Sequence, residues 1–218
     1  MLRWVQSSGR EEATEAATEQ ACPGMTRALH GILKRKEKPE VLDLGQHSRS
    51  AALYLARRGA RVFIDDFQPP PPAPARTEKG KRKRAEQPEQ DLPPVVIRQP
   101  DRKFDLVLAW EHGDFLPPER LREFAAEVAR VLAPGGWLLM YAQDDPGAPP
   151  GREEPPACYR LTADDKLVRT PATGPPRQRW VHANRSLERA LAPLSVQAIH
   201  LQRNRIREIL VRKPEDLP

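Results

Sequence analysis

Acidic residues and a glycine stand where two short apolar runs of the chain end, and together they could bind a nucleoside. Asp43 and Gly45 close the first run, and Asp65 and Asp66 close the second. A glycine allows a ligand to approach the backbone, and a helix that begins after it offers free amide groups. A carboxylate after the second run can accept hydrogen bonds from both hydroxyl groups of a ribose. Because many buried strands also end in Asp, an ordinary structural role is the alternative.

A second group of residues with acid–base chemistry follows the apolar run that ends at Trp110. In the segment Trp-Glu-His-Gly-Asp-Phe, His112 could accept a proton near neutral pH. Glu111 or Asp114 could orient its ring, and general base catalysis needs a base held in this way. The candidate catalytic residues are therefore His112 and Glu111. A surface loop with an incidental histidine is the alternative.

The elements that position the first group form one strand–helix–strand unit. The apolar run at 41–44 predicts a strand that is buried on both faces, and residues 61–64 predict a second strand. Between them, Ser48 or Ser50 can cap a helix that ends at Gly59. A right-handed crossover would make the two strands parallel.

The segment Val-Leu-Asp-Leu-Gly that contains Asp43 and Gly45 resembles the first motif of class I S-adenosylmethionine-dependent methyltransferases. The resemblance implies that these two residues line the methionine and ribose side of the cofactor S-adenosylmethionine. It also implies that Asp65 or Asp66 holds the ribose diol. In the same family an acid before the next apolar run can reach the adenine amino group, which makes Asp91 a candidate. An ordinary turn aspartate is the alternative for Asp91.

Two later segments extend the resemblance. Phe-Asp-Leu-Val-Leu-Ala at 104–109 resembles the fourth strand of the family. A helix that opens at Pro117 and Pro118 leads into Val-Leu-Ala-Pro-Gly-Gly-Trp-Leu-Leu-Met-Tyr at 131–141, which resembles the helix end, turn and fifth strand. The resemblance covers residues 25–213. It implies an α/β fold, a three-layer Rossmann-like sandwich with a mostly parallel seven-stranded sheet and an antiparallel last strand.

The remaining apolar patterns predict how the sheet is completed. Residues 159–162 and 166–169 predict a small hairpin, and Asn184 begins a helix. Residues 196–201 and 206–211 predict two further strands. A last helix followed by an antiparallel pair is how the sheet of the family finishes.

The first motif departs from the family after Gly45. The family usually continues Gly-x-Gly-x-Gly, whereas this chain continues Gln-His-Ser-Arg-Ser. In one interpretation Ser48 and Ser50 donate hydrogen bonds to the carboxylate of the cofactor, and Arg49 is its counter-charge. In the other, His47 and Arg49 fill the space that the cofactor needs. The second is slightly favoured, because several side chains would otherwise all have to point away from one small site.

Composition predicts the domain boundaries. Residues 1–14 are expected to be disordered, residues 15–213 to form one methyltransferase-like domain, and residues 214–218 to form a tail. The domain is expected to open with a helical segment that Pro23 divides. An insertion at 68–90 starts with consecutive prolines and continues with basic residues. It offers too little apolar surface to offset its ordering entropy, and the prediction is a mobile loop.

One segment carries most of the positive charge of the chain. The formal net charge is +6, and residues 76–84 contain six basic residues and one acidic residue. Such side chains could bind the phosphate groups of a nucleic acid weakly. The residues concerned are Lys79, Lys81, Arg82, Lys83 and Arg84. Because no aromatic residues lie between them to stack on bases, a solvated loop is the alternative.

Several other classes of protein are excluded by motifs that the sequence lacks. Cys22 and Cys158 fit neither a metal site nor a disulfide framework, which predicts a cytoplasmic protein without a metal. There is no phosphate-binding Gly-x-x-x-x-Gly-Lys motif and no Gly-x-Ser-x-Gly motif. No apolar stretch approaches the roughly eighteen residues that a membrane span requires.

The resemblance implies an S-adenosylmethionine-dependent methyltransferase whose acceptor is unknown. Because the Asn/Asp-Pro-Pro-aromatic motif is absent after Trp110, methylation of an adenine or glutamine amino group is disfavoured. A non-catalytic relative that acts as a binding or assembly protein is the first alternative. A protein that associates with nucleic acid through residues 76–84 is the second. The expected partner is a methyl acceptor or a protein.

Overall fold

The computed structural model of the protein describes residues 18–45, 49–65, 67, 94–145, 152–162, 166–171, 174–202 and 205–217. Several predictions lie outside these residues. They are the disorder of residues 1–14, the insertion at 68–90 with its basic segment, the cap at Ser48, and the roles of His47, Asp66 and Asp91.

Strands and helices alternate along much of the described chain. In chain order they are β1 (Thr18–Ala21), α1 (Pro23–Leu33), β2 (Glu40–Asp43), α2 (Arg49–Ala56), β3 (Arg61–Ile64), β4 (Phe104–Trp110), α3 (Pro118–Val131), β5 (Leu132–Gln143), β6 (Glu153–Glu154), β7 (Ala157–Leu161), β8 (Lys166–Pro171), β9 (Arg177–Gln178), α4 (Asn184–Leu191), β10 (Ser195–Leu201) and β11 (Ile206–Arg212). A short 3₁₀ helix, His112–Phe115, follows β4.

The central sheet has the strand order β10–β11–β5–β4–β2–β3. Strands β3, β2, β4 and β5 run parallel, whereas β11 is antiparallel to both β5 and β10. This confirms the predicted α/β Rossmann-like fold with parallel central strands. The seven-stranded sheet that the resemblance implied is not confirmed, because six strands join the sheet within the described residues.

The apolar core lies on both faces of this sheet. Helices α1 and α2 pack on one face, and α3 and α4 pack on the other. Along β4, Leu106 and Leu108 face the first pair of helices, whereas Val107 and Ala109 face the second pair. Successive side chains of a strand point to opposite faces, so a strand covered on both sides is apolar throughout. The uninterrupted apolar run predicted this strand correctly for that reason.

Helix α3 has the apolar stripe that the sequence predicts. It begins at Pro118, where the missing N–H of proline costs nothing because the first turn of a helix leaves that group unpaired. Leu121, Phe124, Ala125 and Val128 are all buried against the sheet. Their spacing of three and four residues places them on one face of the helix.

Helix α2 ends at the predicted glycine. Gly59 has φ +87°, a left-handed conformation that glycine adopts without strain. The amide of Gly59 donates to the carbonyl of Ala56 at 3.0 Å, and the amide of Ala60 donates to the carbonyl of Leu55 at 3.2 Å. These two bonds form the usual glycine-terminated helix end, and the chain then enters β3 directly.

A carboxylate from the far end of the chain caps helix α1. Glu208 on β11 accepts hydrogen bonds from the amides of Gly24 at 2.8 Å and Met25 at 3.2 Å, and from the hydroxyl of Tyr141 at 3.1 Å. A Cβ at Gly24 would lie 2.9 Å from Cδ of Glu208, so glycine permits this approach. Burial raises the pKa of Glu208. The cap connects the first helix to the last strand.

A separate three-stranded sheet has the order β1–β8–β7, and its β7–β8 hairpin confirms the predicted one. Strand β1 corrects the prediction of helix before Pro23. Residues 18–21 pair with β8 in antiparallel register, with Gln20 opposite Leu167. A proline ring blocks a helix from continuing through it towards the N-terminus. The free edge of β8 then supplies backbone partners for the preceding residues.

The C-terminal residues stay on the domain. The ammonium group of Lys213 is buried and donates hydrogen bonds to the carbonyls of Ala129 at 2.8 Å and Leu132 at 3.2 Å. Leu217, which the sequence assigns to a tail, packs against the core on the α3 and α4 side of the sheet.

Candidate functional site at the carboxyl ends of β2, β3 and β4

The candidate site lies where the strand order of the parallel sheet reverses. The chain passes from β2 to its neighbour β3 on one side, and later to β4 on the other side of β2. In open α/β sheets, ligands bind outside the carboxyl ends of strands at such a point. Asp43 ends β2, Asp65 follows β3 and Trp110 ends β4. The amide of Asp65 donates to the carbonyl of Asp43 at 2.9 Å, so the two acids are neighbours.

Asp43 is fully buried and points towards the end of β4. Its Oδ1 atom accepts a hydrogen bond from the amide of Gly45 at 2.9 Å. The same atom accepts a second bond from Nε1 of Trp110 at 2.6 Å. The acid of the first motif therefore joins the turn after β2 to the last residue of β4.

Gly45 is in direct contact with the indole ring of Trp110. A Cβ at this position would lie 2.6 Å from Nε1 and 2.7 Å from Cδ1 of that ring. It would also lie 3.1 Å from Oδ1 of Asp43. A larger residue would need the indole to move. In this structure, therefore, the contact with the indole of Trp110 requires glycine at position 45. The family resemblance instead assigns this glycine to close approach by the cofactor.

Trp110 is a site residue that the sequence analysis did not select. Its ring is stacked on those of Tyr159 and Tyr141, with centroids 5.2 Å and 6.2 Å away. Its backbone has φ +46°, which is unusual for a bulky residue. The only signal in the sequence is an aromatic residue at the end of a buried strand, and that pattern alone predicts core packing.

Asp65 is half-buried at the same edge of the sheet. Its Oδ2 atom accepts a hydrogen bond from the side-chain amide of Gln99 at 3.1 Å. Of the five residues predicted to bind the cofactor, the structure thus brings Asp43, Gly45 and Asp65 together, while the other two lie outside the described residues. Their roles in binding stay predictions.

His112 lies beside the end of β2. Its Nε2 atom donates a hydrogen bond to the carbonyl of Leu44 at 2.8 Å. Its ring meets that of Phe67 edge to face, with centroids 5.3 Å apart. His112 is therefore placed near the candidate site, next to the residue that precedes Gly45.

Glu111 makes its contacts with basic and phenolic groups. Its carboxylate accepts hydrogen bonds from the hydroxyl of Tyr159, from Nε of Arg169 at 3.0 Å and from Nη2 of Arg179 at 2.6 Å. Burial alone would raise the pKa of this carboxyl, but the two arginines and the tyrosine lower the pKa to about 2. Glu111 is therefore ionised at neutral pH. Its carboxylate is oriented by Tyr159, Arg169 and Arg179. The sequence instead predicted that Glu111 could orient the ring of His112.

Asp114 binds the other side of the same guanidinium group. Its Oδ2 atom accepts hydrogen bonds from Nη1 of Arg179 at 3.0 Å and from the amide of Gln143 at 2.8 Å. Burial raises the pKa of Asp114 to about 7, with the charge of Glu111 adding to the rise and Arg179 opposing it. Glu154 also pairs with Arg179, at 3.1 Å.

These side chains form what we call the buried ionic cluster, and it connects distant parts of the chain. Its members are Glu111, Asp114, Glu154, Arg169 and Arg179. It ties the end of β4 to the β7–β8 hairpin and to the segment around β9. The hairpin in turn packs against α2, beside the candidate site. Sequence reasoning missed the cluster, because nothing local indicates which of many arginines will meet Glu111.

Within the described residues, no group of three or more His, Cys, Asp and Glu side chains is placed to hold a metal ion. None of the helices described is long and apolar enough to span a membrane.

Comparisons with known proteins agree with this fold. A family model described as a methyltransferase domain matches residues 41–136, which include β2, β3, β4 and the start of β5. A S-adenosylmethionine-dependent methyltransferase from Methanosarcina mazei superimposes with a TM-score of 0.50 and 16% identity, over 82% of this chain and 94% of that one. Another S-adenosylmethionine-dependent methyltransferase, from Mesorhizobium loti, superimposes with a TM-score of 0.50 and 14% identity, over 87% of this chain and 98% of that one.

A curated relative is similar over part of the chain. The "Probable tocopherol O-methyltransferase, chloroplastic" of Oryza sativa subsp. japonica is 30% identical over 112 residues, which cover 48% of this chain and 29% of the relative. The match thus spans less than a third of the length of that relative.

The fold is one that S-adenosylmethionine-dependent methyltransferases share. Residues 41–136 match the model of the methyltransferase domain family. The resemblance that the sequence predicts is confirmed.

Proposed function

We propose that the protein is an S-adenosylmethionine-dependent methyltransferase whose acceptor is not identified. The observation that carries the proposal is the placement of Asp43 and Asp65 on adjacent parallel strands, at the point where the strand order reverses. This is where α/β proteins bind nucleosides, and a carboxylate after the second strand suits a ribose diol. The match of residues 41–136 to the methyltransferase domain family supports the same cofactor.

The side chains at the site suit different tasks in this proposal. Asp65 is half-buried and oriented by Gln99, so its carboxylate would accept hydrogen bonds from the ribose. His112 lies beside the end of β2, where its imidazole would accept a proton from the acceptor. Glu111, with a pKa of about 2, is too weak a base for that task at neutral pH. We assign it a positioning role, in which it holds the β7–β8 hairpin beside the site.

S-adenosylmethionine does not fit beside Gly45 unless the side chain of Trp110 moves. S-adenosylmethionine would supply an electrophilic methyl group, and its binding requires close approach to the turn after β2. The indole of Trp110 lies on Gly45 in that place and bonds to Asp43. The residue types therefore suit the cofactor, whereas the position of one side chain does not.

The same contact favours a second candidate function. A methyltransferase-like protein that keeps the fold but binds no cofactor would have its glycine covered by a side chain, as Gly45 is. Such a protein would act by binding or assembly. The second alternative from the sequence is contact of residues 76–84 with nucleic acid. It stays a prediction, because these residues lie outside the described ones.

Calorimetric titration separates the two candidates. The protein is titrated with S-adenosylmethionine and with its demethylated product S-adenosylhomocysteine. Saturable binding of both with a one-to-one stoichiometry is the expected result for a methyltransferase. Absence of binding to either compound at millimolar concentration would favour the non-catalytic candidate. If the protein binds the cofactor, transfer of a labelled methyl group from S-adenosylmethionine to acceptor fractions then identifies the class of acceptor.

A further inference from the structure

We infer that Trp110 is an occluding residue: its indole occupies the cofactor position at Gly45, and the cofactor binds only when the indole leaves. This inference rests on the proposed function, because it concerns the regulation of the same site. It assigns to Trp110 the obstruction of the site that one interpretation of the sequence assigns to His47 and Arg49.

The first argument is position. Trp110 ends β4 and Gly45 follows β2, and these strands are neighbours on the two sides of the point where a ligand binds. The indole lies so near Gly45 that a Cβ there would be 2.6 Å from Nε1. The indole and a ligand atom cannot both occupy the position that this Cβ would take. A ligand that reaches Gly45 from this side must therefore displace the ring.

The second argument is the bond that holds the ring. Trp110 is only 5% exposed, and its Nε1 donates to the fully buried Oδ1 of Asp43 at 2.6 Å. A hydrogen bond to a buried carboxylate is among the stronger bonds in proteins. The first-motif acid, which the family resemblance assigns to the cofactor, is therefore engaged by the ring that covers the glycine. Displacing the ring would uncover Gly45 and remove one of the two hydrogen bonds described at Oδ1 of Asp43.

The third argument is the backbone of Trp110, which is held in an unfavourable conformation. A φ of +46° is rare for a bulky residue, and such residues stay in it only when their surroundings hold them. Here the surroundings are the bond to Asp43 and the stacking on Tyr159 and Tyr141. The hydroxyl of Tyr159 in turn bonds to Glu111, so the ring is connected to the buried ionic cluster.

The test compares two tryptophans that receive the same substitution. S-adenosylhomocysteine is titrated calorimetrically into the unmodified protein, into Trp110→Leu and into Trp137→Leu. Trp137 is similarly buried, at 7% exposure, but it lies on β5 beneath Arg212. We expect Trp110→Leu to bind at least tenfold more tightly than the unmodified protein, a change of about 1.4 kcal/mol or more. Trp137→Leu should bind like the unmodified protein.

Each result decides between the inference and the proposed function. If the unmodified protein binds and Trp110→Leu binds equally or more weakly, the ring is not an obstacle, and the inference fails while the methyltransferase assignment stands. If neither protein binds, both fail. If Trp110→Leu does not fold, Trp110→Phe keeps an aromatic ring for the stack and loses the N–H; it is compared with Trp137→Phe.

A measurement without ligand checks the contact itself. Gly45→Ala is made in the unmodified protein and in Trp110→Leu, and the free energy of unfolding is measured by denaturant titration. Because the added methyl group meets the indole, Gly45→Ala should destabilise the unmodified protein more than it destabilises the Trp110→Leu variant. Equal costs in the two backgrounds would show that the indole does not lie on Gly45 in solution, and the inference would then be rejected.

Discussion

Nη2 of Arg179 donates a hydrogen bond to Oε2 of Glu111 at 2.6 Å, and neither side chain is more than 3% exposed. The two residues are 68 positions apart in the sequence. Glu111 comes directly after the strand that brings Trp110 to the candidate site, and Arg179 belongs to the segment beyond the β7–β8 hairpin. The bond therefore fixes the segment that follows β9 next to the end of β4.

Loss of the Glu111 carboxylate should destabilise the fold strongly. Glu111→Ala leaves Arg169 and Arg179 without their shared partner in a buried place, and breaking a buried ion pair in this way costs about 3 to 5 kcal/mol. The measurement is the free energy of unfolding from urea titration. The control is Glu19→Ala, which removes an exposed carboxylate 3.5 Å from Lys166 and should cost less than about 1 kcal/mol. Similar losses for the two variants would contradict a structural role for the cluster.

Asp114 should make stability depend on pH between about 4 and about 7. Its pKa is raised from 3.8 to about 7 in the fold, so the folded protein keeps a proton that the unfolded chain has lost. The stability contributed by this proton is complete below about pH 4 and is lost as the pH rises, by up to about 1.4 kcal/mol per pH unit. The contribution of Glu111 changes mainly below about pH 5, because its pKa is lowered from 4.5 to about 2, and Glu111 is present in both proteins compared below.

The measurement for Asp114 is urea unfolding of the unmodified protein and of Asp114→Asn across this pH range. Arg179, Glu111 and Arg207 are the charged groups that influence Asp114, and all three remain in both proteins. The stability of the unmodified protein relative to the variant should therefore fall as the pH rises. A difference that stays constant with pH would show that Asp114 is already ionised throughout.

Asp65 should contribute to cofactor affinity. In the proposed function its carboxylate bonds to the ribose, and loss of a hydrogen bond to a charged group costs about 1 to 3 kcal/mol. Asp65→Ala should weaken binding of S-adenosylhomocysteine by that amount in a calorimetric titration, and Asp66→Ala tests its neighbour. The control is Asp105→Ala, since Asp105 bonds to Lys36 and to the amide of Glu40 at the start of β2. Unchanged affinity in both Asp65→Ala and Asp66→Ala would refute the predicted ribose site.

Glu208 should stabilise the first helix through its cap. Glu208→Ala leaves the amides of Gly24 and Met25 and the hydroxyl of Tyr141 without this partner, and unpaired buried groups cost about 1 to 3 kcal/mol each. Thermal and urea unfolding should both show the loss. Tyr141→Phe removes one of the three bonds and is the matched control, so it should cost clearly less. An equal cost would mean that the amides do not depend on Glu208.

Local patterns in the sequence predicted most of the secondary structure of the central sheet. The apolar runs that became β2, β3 and β4 and the stripe on α3 depend on residues a few positions apart, and so does the end of α2 at Gly59. Their periodicity directly reflects which faces are buried. Because parallel strands place their carboxyl ends at one edge, the neighbouring positions of Asp43 and Asp65 also followed from the sequence.

Other features depended on contacts that no local pattern contains. Residues 18–21 form a strand because the edge of β8, far along the chain, offers hydrogen bonds. Glu208 caps α1 from the opposite end of the domain. In both cases the partner becomes a neighbour only after the sheet has assembled.

The same distinction applies to the candidate site. By itself the sequence determined the fold class, the strand–helix–strand unit and the acids at its edge, since these follow from short-range periodicity and chain direction. Only the tertiary structure decided that Glu111 binds arginines and that the indole of Trp110 covers Gly45. The physical reason is that packing and charge pairing act between whichever side chains the fold brings within a few ångströms, whatever their separation in the chain.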